Sequence, residues 1–344
     1  MSYSQTVPLA RVVLLFVVFV VFPICVKAQT TTFPIADPFP LLDLDGDGSS
    51  DVVILKDQAD GSPDELVYTY RESSTGFLSS AIEFGKSSDV PALGDYDGDT
   101  VTDIAVVRNT GSSLTWITRI QNGDDTSEIL GVPGDFILTG CDFDDDGETD
   151  PAVFRLNQGI LYLDSEGETQ RITVNLRANE QPTRLACGDF DDDQTGEIAL
   201  VVAKQGRTGP RSRSRIAIFT NSGSEVFSRK IRSPRSIFVF DADGDGDLDL
   251  GAFYKRKRTA FLFTYTNNGS LNFTSRRARL KRAARTITAQ ALYNAESNSW
   301  SVVFRGKRDK FFELNQSNNQ VVGSSFARIR GDKLLPTHTV ESTT

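Results

Sequence analysis

The feature that most constrains this chain is a short acidic segment that occurs five times at nearly equal spacing. Each copy has Asp at its first, third and fifth positions and Asp or Glu at its ninth, and the first Asp residues are 52, 47, 47 and 52 residues apart. A repeat of this length is typical of propellers, solenoids and arrays, in which each copy forms one structural unit. The acidic residues are Asp43, Asp45, Asp47, Asp51, Asp95, Asp97, Asp99, Asp103, Asp142, Asp144, Asp146, Asp150, Asp189, Asp191, Asp193, Glu197, Asp241, Asp243, Asp245 and Asp249.

Carboxylates at alternate positions of a tight turn direct their oxygens toward one point, where they would repel one another in the absence of a cation. Ca²⁺ accepts about six to eight oxygen ligands, and Gly46 and Gly48 allow the positive φ that such a turn requires. An EF-hand would need Glu at the twelfth position and a helix on each side. The twelfth residues are instead Ile54, Val106, Val153, Leu200 and Ala252. Because strand-forming residues follow each segment, we predict up to five structural Ca²⁺ sites that are not EF-hands.

The residues around each acidic segment predict four short strands, as the second copy illustrates. Its strands are predicted at residues 91–95, 104–107, 114–120 and 127–130, with the acidic segment between the first two. Four antiparallel strands per repeat form one blade, so the predicted fold is an all-β β-propeller with calcium loops in five blades. A sixth unit begins near Thr286 and lacks the carboxylates. Six blades are the prediction, and the alternative is seven blades with a composite last blade.

The N-terminal residues have the pattern of an export signal. Arg11 precedes thirteen uncharged residues, 12–24, and a small residue, Ala28, precedes a plausible cleavage site at Gln29. The predicted division is a signal peptide at 1–28, a possible ring-closing strand at 29–37, the propeller at 38–335 and a tail at 336–344. We therefore expect a secreted, periplasmic or cell-surface protein whose mature chain has no stable membrane span. Cys141 and Cys187 would form a disulfide or remain as two buried thiols.

Residues 84–108, from Phe84-Gly85 through the second acidic segment, resemble the FG-GAP/VCBS repeat family, and residues 130–155 repeat the match. This family includes the propeller of integrin α chains and many secreted bacterial proteins. The resemblance implies a propeller with one structural Ca²⁺ per loop, held by the four acidic residues and the backbone carbonyl at the seventh position. Three departures weaken the match in the second and fourth segments, where Thr100 and Gln194 replace Gly and Glu197 replaces Asp.

Charge is distributed unevenly along the chain, and this asymmetry suggests where a partner binds. Residues 1–203 carry 11 basic and 35 acidic side chains, whereas residues 204–344 carry 26 basic and 11 acidic ones. Turns between second and third strands lie at the end of the ring opposite the acidic loops, and basic residues occupy these turns in three blades. The candidate ligand-binding residues are Arg211, Arg213, Arg215, Lys255, Arg256, Lys257, Arg258, Arg305, Lys307 and Arg308.

A binding or adhesion function fits this pattern, with an anionic polysaccharide or a protein as the partner and no nucleic acid expected. The alternative is a secreted polysaccharide lyase or hydrolase on a propeller scaffold. The only histidine, His338, lies in the predicted tail, and no Gly-x-Ser-x-Gly segment is present. The sequence therefore favours binding over catalysis and identifies no catalytic residue.

Overall fold

The described strands form antiparallel sheets that follow one another in chain order. The structure is a computed structural model, and its described residues include no helix that is long and apolar enough to cross a membrane. It describes residues 42–57, 65–120, 125–165, 167–206, 213–243, 247–256, 259–268, 271–280, 288–294, 299–305, 311–315, 320–323, 333–334 and 338–339.

Five sheets have four strands and one has five. Sheet 1 contains β1 (Val52–Asp57), β2 (Glu65–Arg71) and β3 (Ile82–Lys86), and sheet 2 contains β4 (Val90–Pro91), β5 (Ile104–Asn109), β6 (Leu114–Arg119) and β7 (Asp125–Ile129). Sheet 3 contains β8 (Phe136–Leu138), β9 (Ala152–Arg155), β10 (Ile160–Ser165) and β11 (Glu168–Thr173). Sheet 4 contains β12 (Glu180–Gly188), β13 (Glu197–Lys204), β14 (Arg213–Phe219) and β15 (Glu225–Arg232).

The last two sheets follow the same pattern. Sheet 5 contains β16 (Ser236–Phe240), β17 (Asp249–Arg256), β18 (Thr259–Asn267) and β19 (Phe273–Leu280). Sheet 6 contains β20 (Thr288–Asn294), β21 (Ser299–Arg305), β22 (Phe311–Asn315) and β23 (Gln320–Gly323). Two short C-terminal strands complete the set: β24 (Lys333–Leu334) joins sheet 1 beside β1, and β25 (His338–Thr339) joins sheet 6 beside β20.

Burial within a sheet decreases from its second strand to its fourth, as expected for blades that pack face to face. In β13 every residue from Glu197 to Ala203 is buried, and in β5 Ile104–Val107 are buried. The fourth strand β15 alternates between half-buried and exposed residues along its whole length. The apolar run of a second strand therefore packs on both faces, whereas a fourth strand is open to water on one face.

The apolar clusters lie between neighbouring sheets. One cluster joins sheets 1 and 2, a second joins sheets 2 and 3, a third joins sheets 3 and 4, and a fourth joins sheets 4 and 5. A small cluster packs Val52 of β1 against Val303 of β21 and so connects the sixth sheet to the first. Because the sequence of packed sheets returns to its start, the all-β fold is a β-propeller.

The C-terminal strands contribute to this closure. Leu334 of β24 pairs with Ile54 of β1, so the innermost strand of sheet 1 comes from the far end of the chain. The Ser50 N–H also donates a hydrogen bond to the Tyr293 carbonyl, over 2.8 Å, between sheets 1 and 6. The sequence suggested a ring-closing strand at residues 29–37, and that segment lies outside the described residues. The strand that pairs with the inner edge of β1 is instead β24, near the C-terminal end of the described residues.

The two cysteines are joined by a disulfide, which resolves the alternative that the sequence left open. Cys141 follows β8 in sheet 3 and Cys187 lies in β12 of sheet 4, with 6.1 Å between their Cα atoms. Both are almost fully buried in the cluster shared by these sheets. The disulfide therefore links sheets 3 and 4 covalently, next to their acidic loops.

Candidate metal centres and the opposite end of the propeller

The second to fifth acidic segments form loops between the first and second strands of their sheets, and the first segment directly precedes β1. The loops span residues 43–51, 95–103, 142–150, 189–197 and 241–249. These are called the first to fifth acidic loops. Every loop brings three carboxylates together, with one oxygen from each within 4.8 Å of the others. The grouped residues are Asp43, Asp45 and Asp51; Asp95, Asp97 and Asp99; Asp142, Asp144 and Asp146; Asp189, Asp191 and Glu197; and Asp241, Asp243 and Asp249.

These groups contain three of the four carboxylates predicted for each loop. The first and third residues are grouped in every loop, and the third member is the ninth residue in three loops and the fifth residue in two. Among the remaining residues, Asp47 accepts hydrogen bonds from the Ser49 N–H and the Ser73 hydroxyl, and Asp193 accepts one from the Thr195 N–H. Asp245 lies outside the described residues.

The first Asp of a loop organises the turn by accepting backbone hydrogen bonds. Asp43 Oδ1 accepts from the Gly46 N–H over 2.7 Å, and its Oδ2 accepts from the Gly48 N–H over 2.7 Å. The third loop makes the same pair of bonds, from the fourth and sixth residues to Asp142. Carboxylates that accept from neighbouring N–H groups make a tight turn in which several oxygens face one point.

The backbone of the loops has a common shape that does not depend on glycine. In the first four loops the fourth and sixth residues all have positive φ, from 61° to 87°. Thr100 has a φ of 70° and Gln194 has a φ of 71°, although both replace the Gly found at this position in other loops. The loops that depart from the repeat in sequence therefore keep its conformation, at the energetic cost of a positive φ in a residue with a Cβ.

The ninth carboxylate closes each loop onto its second residue. Asp51 Oδ2 accepts from the Leu44 N–H over 2.8 Å, and Glu197 Oε2 accepts from the Phe190 N–H over 2.9 Å, so the longer Glu side chain fulfils the same role. The corresponding carboxylates of the other three loops accept equivalent bonds of 2.6–2.9 Å; they are Asp103, Asp150 and Asp249. The second and ninth residues are thus held together in all five loops.

The electrostatics of the loops favour a bound cation. Burial, followed by the nearby carboxylates, raises the pKa of Asp51 and Asp150 to about 7, and it raises the pKa of Glu197 and Asp249 to about 8. These values mean that the ionised loops are costly when no positive charge is present.

Buried carboxylate oxygens without a hydrogen-bond donor point to the same conclusion. Oδ1 of Asp45, Asp95 and Asp191 is buried and receives no hydrogen bond. A buried anionic oxygen without a donor is unfavourable unless a cation contacts it. The donor set consists of oxygen atoms alone, which suits a hard divalent cation such as Ca²⁺.

The acidic loops are also hydrogen-bonded to one another around the ring. The eighth residue of one loop donates its N–H to the carbonyl of the first Asp in the preceding loop. Thr102 donates to Asp43 over 2.6 Å, and Gly196 donates to Asp142 over 2.7 Å. Thr149 donates to Asp95 in the same way. The repeat spacing gave no indication of these contacts, which connect the first four candidate metal centres, each to the next.

The opposite end of the propeller contains the turns between second and third strands. In sheets 2 to 5 the second strand begins after the acidic loop and ends at the turn that leads to the third strand. The basic segments lie at such turns, so the ends of the strands on either side of them lie away from the acidic loops. Arg213 is exposed at the start of β14, and Lys255 is half-buried near the end of β17. Arg256 and Arg305 end β17 and β21. Arg211, Lys257, Arg258, Lys307 and Arg308 lie outside the described residues.

Arg215 does not belong to an exposed basic surface, contrary to the prediction from sequence. Its side chain is 6% exposed and is bound by Glu180 over 2.6 Å and by Glu225 over 2.9 Å. Arg108 with Asp89, and Arg155 with Asp135, form similar two-pronged ion pairs. Asp89, Asp135 and Glu180 each lie at or just before the start of their sheet's first strand, so these arginines stabilise the sheets.

Comparisons with known proteins find solved structures of similar fold but identify no family for this chain. No family model matches the chain, and no curated protein matches it. Similar solved structures include a Dos1 propeller, with 11% identity, coverage of 86% of this chain and 77% of that one, and a TM-score of 0.45. A protein from Lactobacillus plantarum has 11% identity, coverage of 80% and 82%, and a TM-score of 0.47. Hydrazine synthase from Kuenenia stuttgartiensis has 12% identity, coverage of 88% and 99%, and a TM-score of 0.45. These similarities carry no argument about function.

Proposed function

We propose that this protein is an exported, calcium-stabilised propeller of the FG-GAP/VCBS type that acts as a binding or adhesion module. The observation that carries the proposal is the fivefold recurrence of one loop geometry, in which three carboxylates converge and share the same backbone hydrogen bonds. Solvated surface acids have no reason to repeat their geometry, whereas ion ligands do. The export signal predicted at residues 1–28 would place the loops outside the cytosol, where millimolar Ca²⁺ would occupy even weak sites.

The blade number that we propose is six, one for each antiparallel sheet. The pairing of β24 with β1 and the contact between Ser50 and Tyr293 support a ring in which the sixth blade adjoins the first. The sixth blade has Leu292, Asn294, Glu296 and Trp300 in place of the acidic ligands, so it would hold no ion. A propeller of six blades would then bind five calcium ions.

Calcium would act structurally by cancelling the mutual repulsion of the loop carboxylates. The loops lie between consecutive sheets and are hydrogen-bonded to one another, so an ion in one loop would stabilise the junction of two blades. The ligands would come from the first, third, fifth and ninth residues of each loop. This role needs no exchange of the ion during binding of a partner.

The partner would bind at the end opposite the acidic loops, where the basic turns of the fourth, fifth and sixth blades are located. Bound Ca²⁺ would neutralise much of the acidic half of the chain and leave the basic half to set the electrostatic field. An anionic polysaccharide is the partner that this charge pattern favours, and a protein partner is the alternative. The proposed surface excludes Arg215, whose charge is already satisfied by two glutamates.

The calcium proposal is tested by thermal unfolding with and without EDTA. An ion that binds only folded loops stabilises them by mass action, so chelation is expected to lower the Tm by roughly 10 °C or more. Added Ca²⁺ should restore the Tm. Asp191→Asn, which alters a carboxylate with a donor-free buried oxygen, should reduce the calcium-dependent part of the Tm, whereas Asp125→Asn, on the exposed β7, should leave it unchanged. Identical melting curves in EDTA and Ca²⁺ would disprove the proposal.

The binding proposal is tested on a glycan array with the calcium-loaded protein. Retention of acidic glycans that decreases with rising salt is the expected result. If the protein binds no glycan but does bind other proteins, the proposed partner becomes a protein. If the pure protein cleaves an acidic polysaccharide, the proposed function becomes that of an enzyme.

A further inference from the structure

Two arginines without an acidic partner lie side by side at the inner edges of sheets 4 and 5. Arg184 belongs to β12 and Arg235 immediately precedes β16, and these two first strands contact each other. Arg184 Nε donates a hydrogen bond to the Arg235 carbonyl, and its Nη1 donates one to the Thr183 carbonyl. Both side chains are half-buried.

Their surroundings differ from those of three other arginines that are buried or half-buried. Arg108, Arg155 and Arg215 each face a carboxylate at 2.6–2.7 Å. Arg184 donates only to neutral carbonyls, and the guanidinium of Arg235 forms neither a hydrogen bond nor an ion pair with the described residues. Burial and the charge of Arg235 lower the pKa of Arg184, which reflects two cations close together with no anion between them.

Two buried donors without an acceptor belong to adjacent residues here. Arg235 Nε is buried and has no acceptor, and the hydroxyl of the adjoining Ser236 is buried and has no partner. Buried donors of this kind cost free energy unless an acceptor is supplied, and a guanidinium presents its donors in a planar fork that matches a carboxylate or sulfate. An anion with at least two acceptor oxygens would satisfy donors of this kind.

We propose that Arg184, Arg235 and the Ser236 hydroxyl bind one anionic group of an acidic polysaccharide, either a uronate carboxylate or a sulfate ester. The proposal rests on the polyanion-binding function above and gives that function a specific contact. Arg235 lies at the start of its sheet's first strand, away from the acidic loop that follows β16, so the site is at the end already assigned to the partner. The exposed Arg232, which ends β15 three residues before Arg235, extends the positive charge outward.

The test measures binding of oligogalacturonate and of dextran sulfate to the calcium-loaded protein by calorimetry, with sodium acetate and sodium sulfate as small probes. Arg235→Gln is expected to weaken binding of the preferred polymer by about tenfold or more, because a charge-assisted hydrogen bond is lost. Ser236→Ala should weaken it less. Arg119→Gln is the matched control: it removes the same charge from an arginine paired with Asp125 and should leave binding unchanged.

Arg235→Gln also distinguishes a role of this arginine in anion binding from a role in folding stability. Its guanidinium has no partner to lose, so without an anion the variant should melt at or above the temperature of the wild type. A lower Tm in the absence of anion would indicate a structural arginine and overturn the proposal. Preference for oligogalacturonate and acetate assigns a carboxylate, and preference for dextran sulfate and sulfate assigns a sulfate ester.

The experiment distinguishes a wrong assignment of the anion site from a wrong assignment of the polyanion-binding function. Polymer binding that Arg235→Gln and Ser236→Ala leave unchanged would overturn the site and retain the polyanion-binding function. If neither polymer binds but sulfate or acetate stabilises the wild type and not Arg235→Gln, the anion site stands and the polysaccharide function falls.

Discussion

At the scale of single residues, the acidic loops show how a backbone requirement persists when its usual residue is replaced. Gly48 and Gly147 take a positive φ without strain, whereas Thr100 and Gln194 take it with a Cβ present. The side-chain chemistry of the sixth position is therefore secondary to its conformation, which the first Asp fixes by accepting the N–H of that residue.

Thr100→Gly is expected to stabilise the protein by about 1 kcal/mol, because it removes the penalty for a left-handed conformation in a residue with a side chain. The free energy of unfolding should be measured in saturating Ca²⁺. Thr126→Gly is the control, since Thr126 is exposed in β7 and has no positive φ, and this change should destabilise the strand. Equal destabilisation by both changes would contradict the argument.

At the scale of elements, neighbouring sheets touch through more than apolar side chains. Glu128 of the outer strand β7 interacts with Asp164 of β10 in the next sheet, and burial together with the charge and hydrogen bond of Asp164 raises the pKa of Glu128 to about 7. The folded state thus favours a protonated Glu128 that donates to a carboxylate. Its stabilising contribution is full below the ordinary pKa of about 4.3 and is lost as the pH rises through about 7.

Glu128→Gln is expected to remove this pH dependence, because the amide donates to Asp164 at every pH and never becomes charged. The variant should match the wild type at pH 4, where Glu128 is protonated, and exceed its stability increasingly as the pH rises, by about 1 kcal/mol at pH 8, a value reduced for partial exposure. Both proteins should be melted in saturating Ca²⁺, which in the proposed calcium sites would keep the loop carboxylates ionised. Glu83→Gln, on the exposed side of β3, should show the wild-type pH dependence.

At the scale of the whole molecule, the ring depends on contacts between its two ends. β24 supplies the innermost strand of sheet 1, and β25 pairs with β20 of sheet 6. Without these strands the inner edge of β1 would present unpaired backbone groups. The loop contact from Ser50 to Tyr293 and the packing of Val52 on Val303 would then hold the junction alone.

Ending the chain after Gly323 should therefore lower the free energy of unfolding by about 2–4 kcal/mol, through lost strand pairing and newly exposed apolar surface. Ending it after Thr339 retains both strands and should have little effect. Hydrogen exchange of the β1 amides provides the local measurement, and rapid exchange in the shorter chain is expected. Unchanged stability and protection would show that the ring closes without β24.

The sequence alone determined those features that depend on local chemistry and repetition. The spacing of the aspartates, the strand residues after each acidic loop and the turn residues between strands predicted an all-β propeller, and they identified every acidic residue that the described loops bring together. These features are local, because each loop and hairpin is formed within one repeat of about 50 residues. The strands predicted in sheet 2 agree within two residues with β5, β6 and β7, whereas the first strand, predicted at 91–95, is only Val90–Pro91 in the structure.

Only the tertiary structure decided the features that join distant parts of the chain. Nothing in the pattern around Arg215 distinguishes it from the exposed Arg213, because its glutamates come from two other strands. The disulfide, the hydrogen bonds between acidic loops and the unpaired Arg184 and Arg235 likewise depend on the order and packing of neighbouring sheets. A repeat specifies its own blade, but the contacts between blades appear only when the ring has closed.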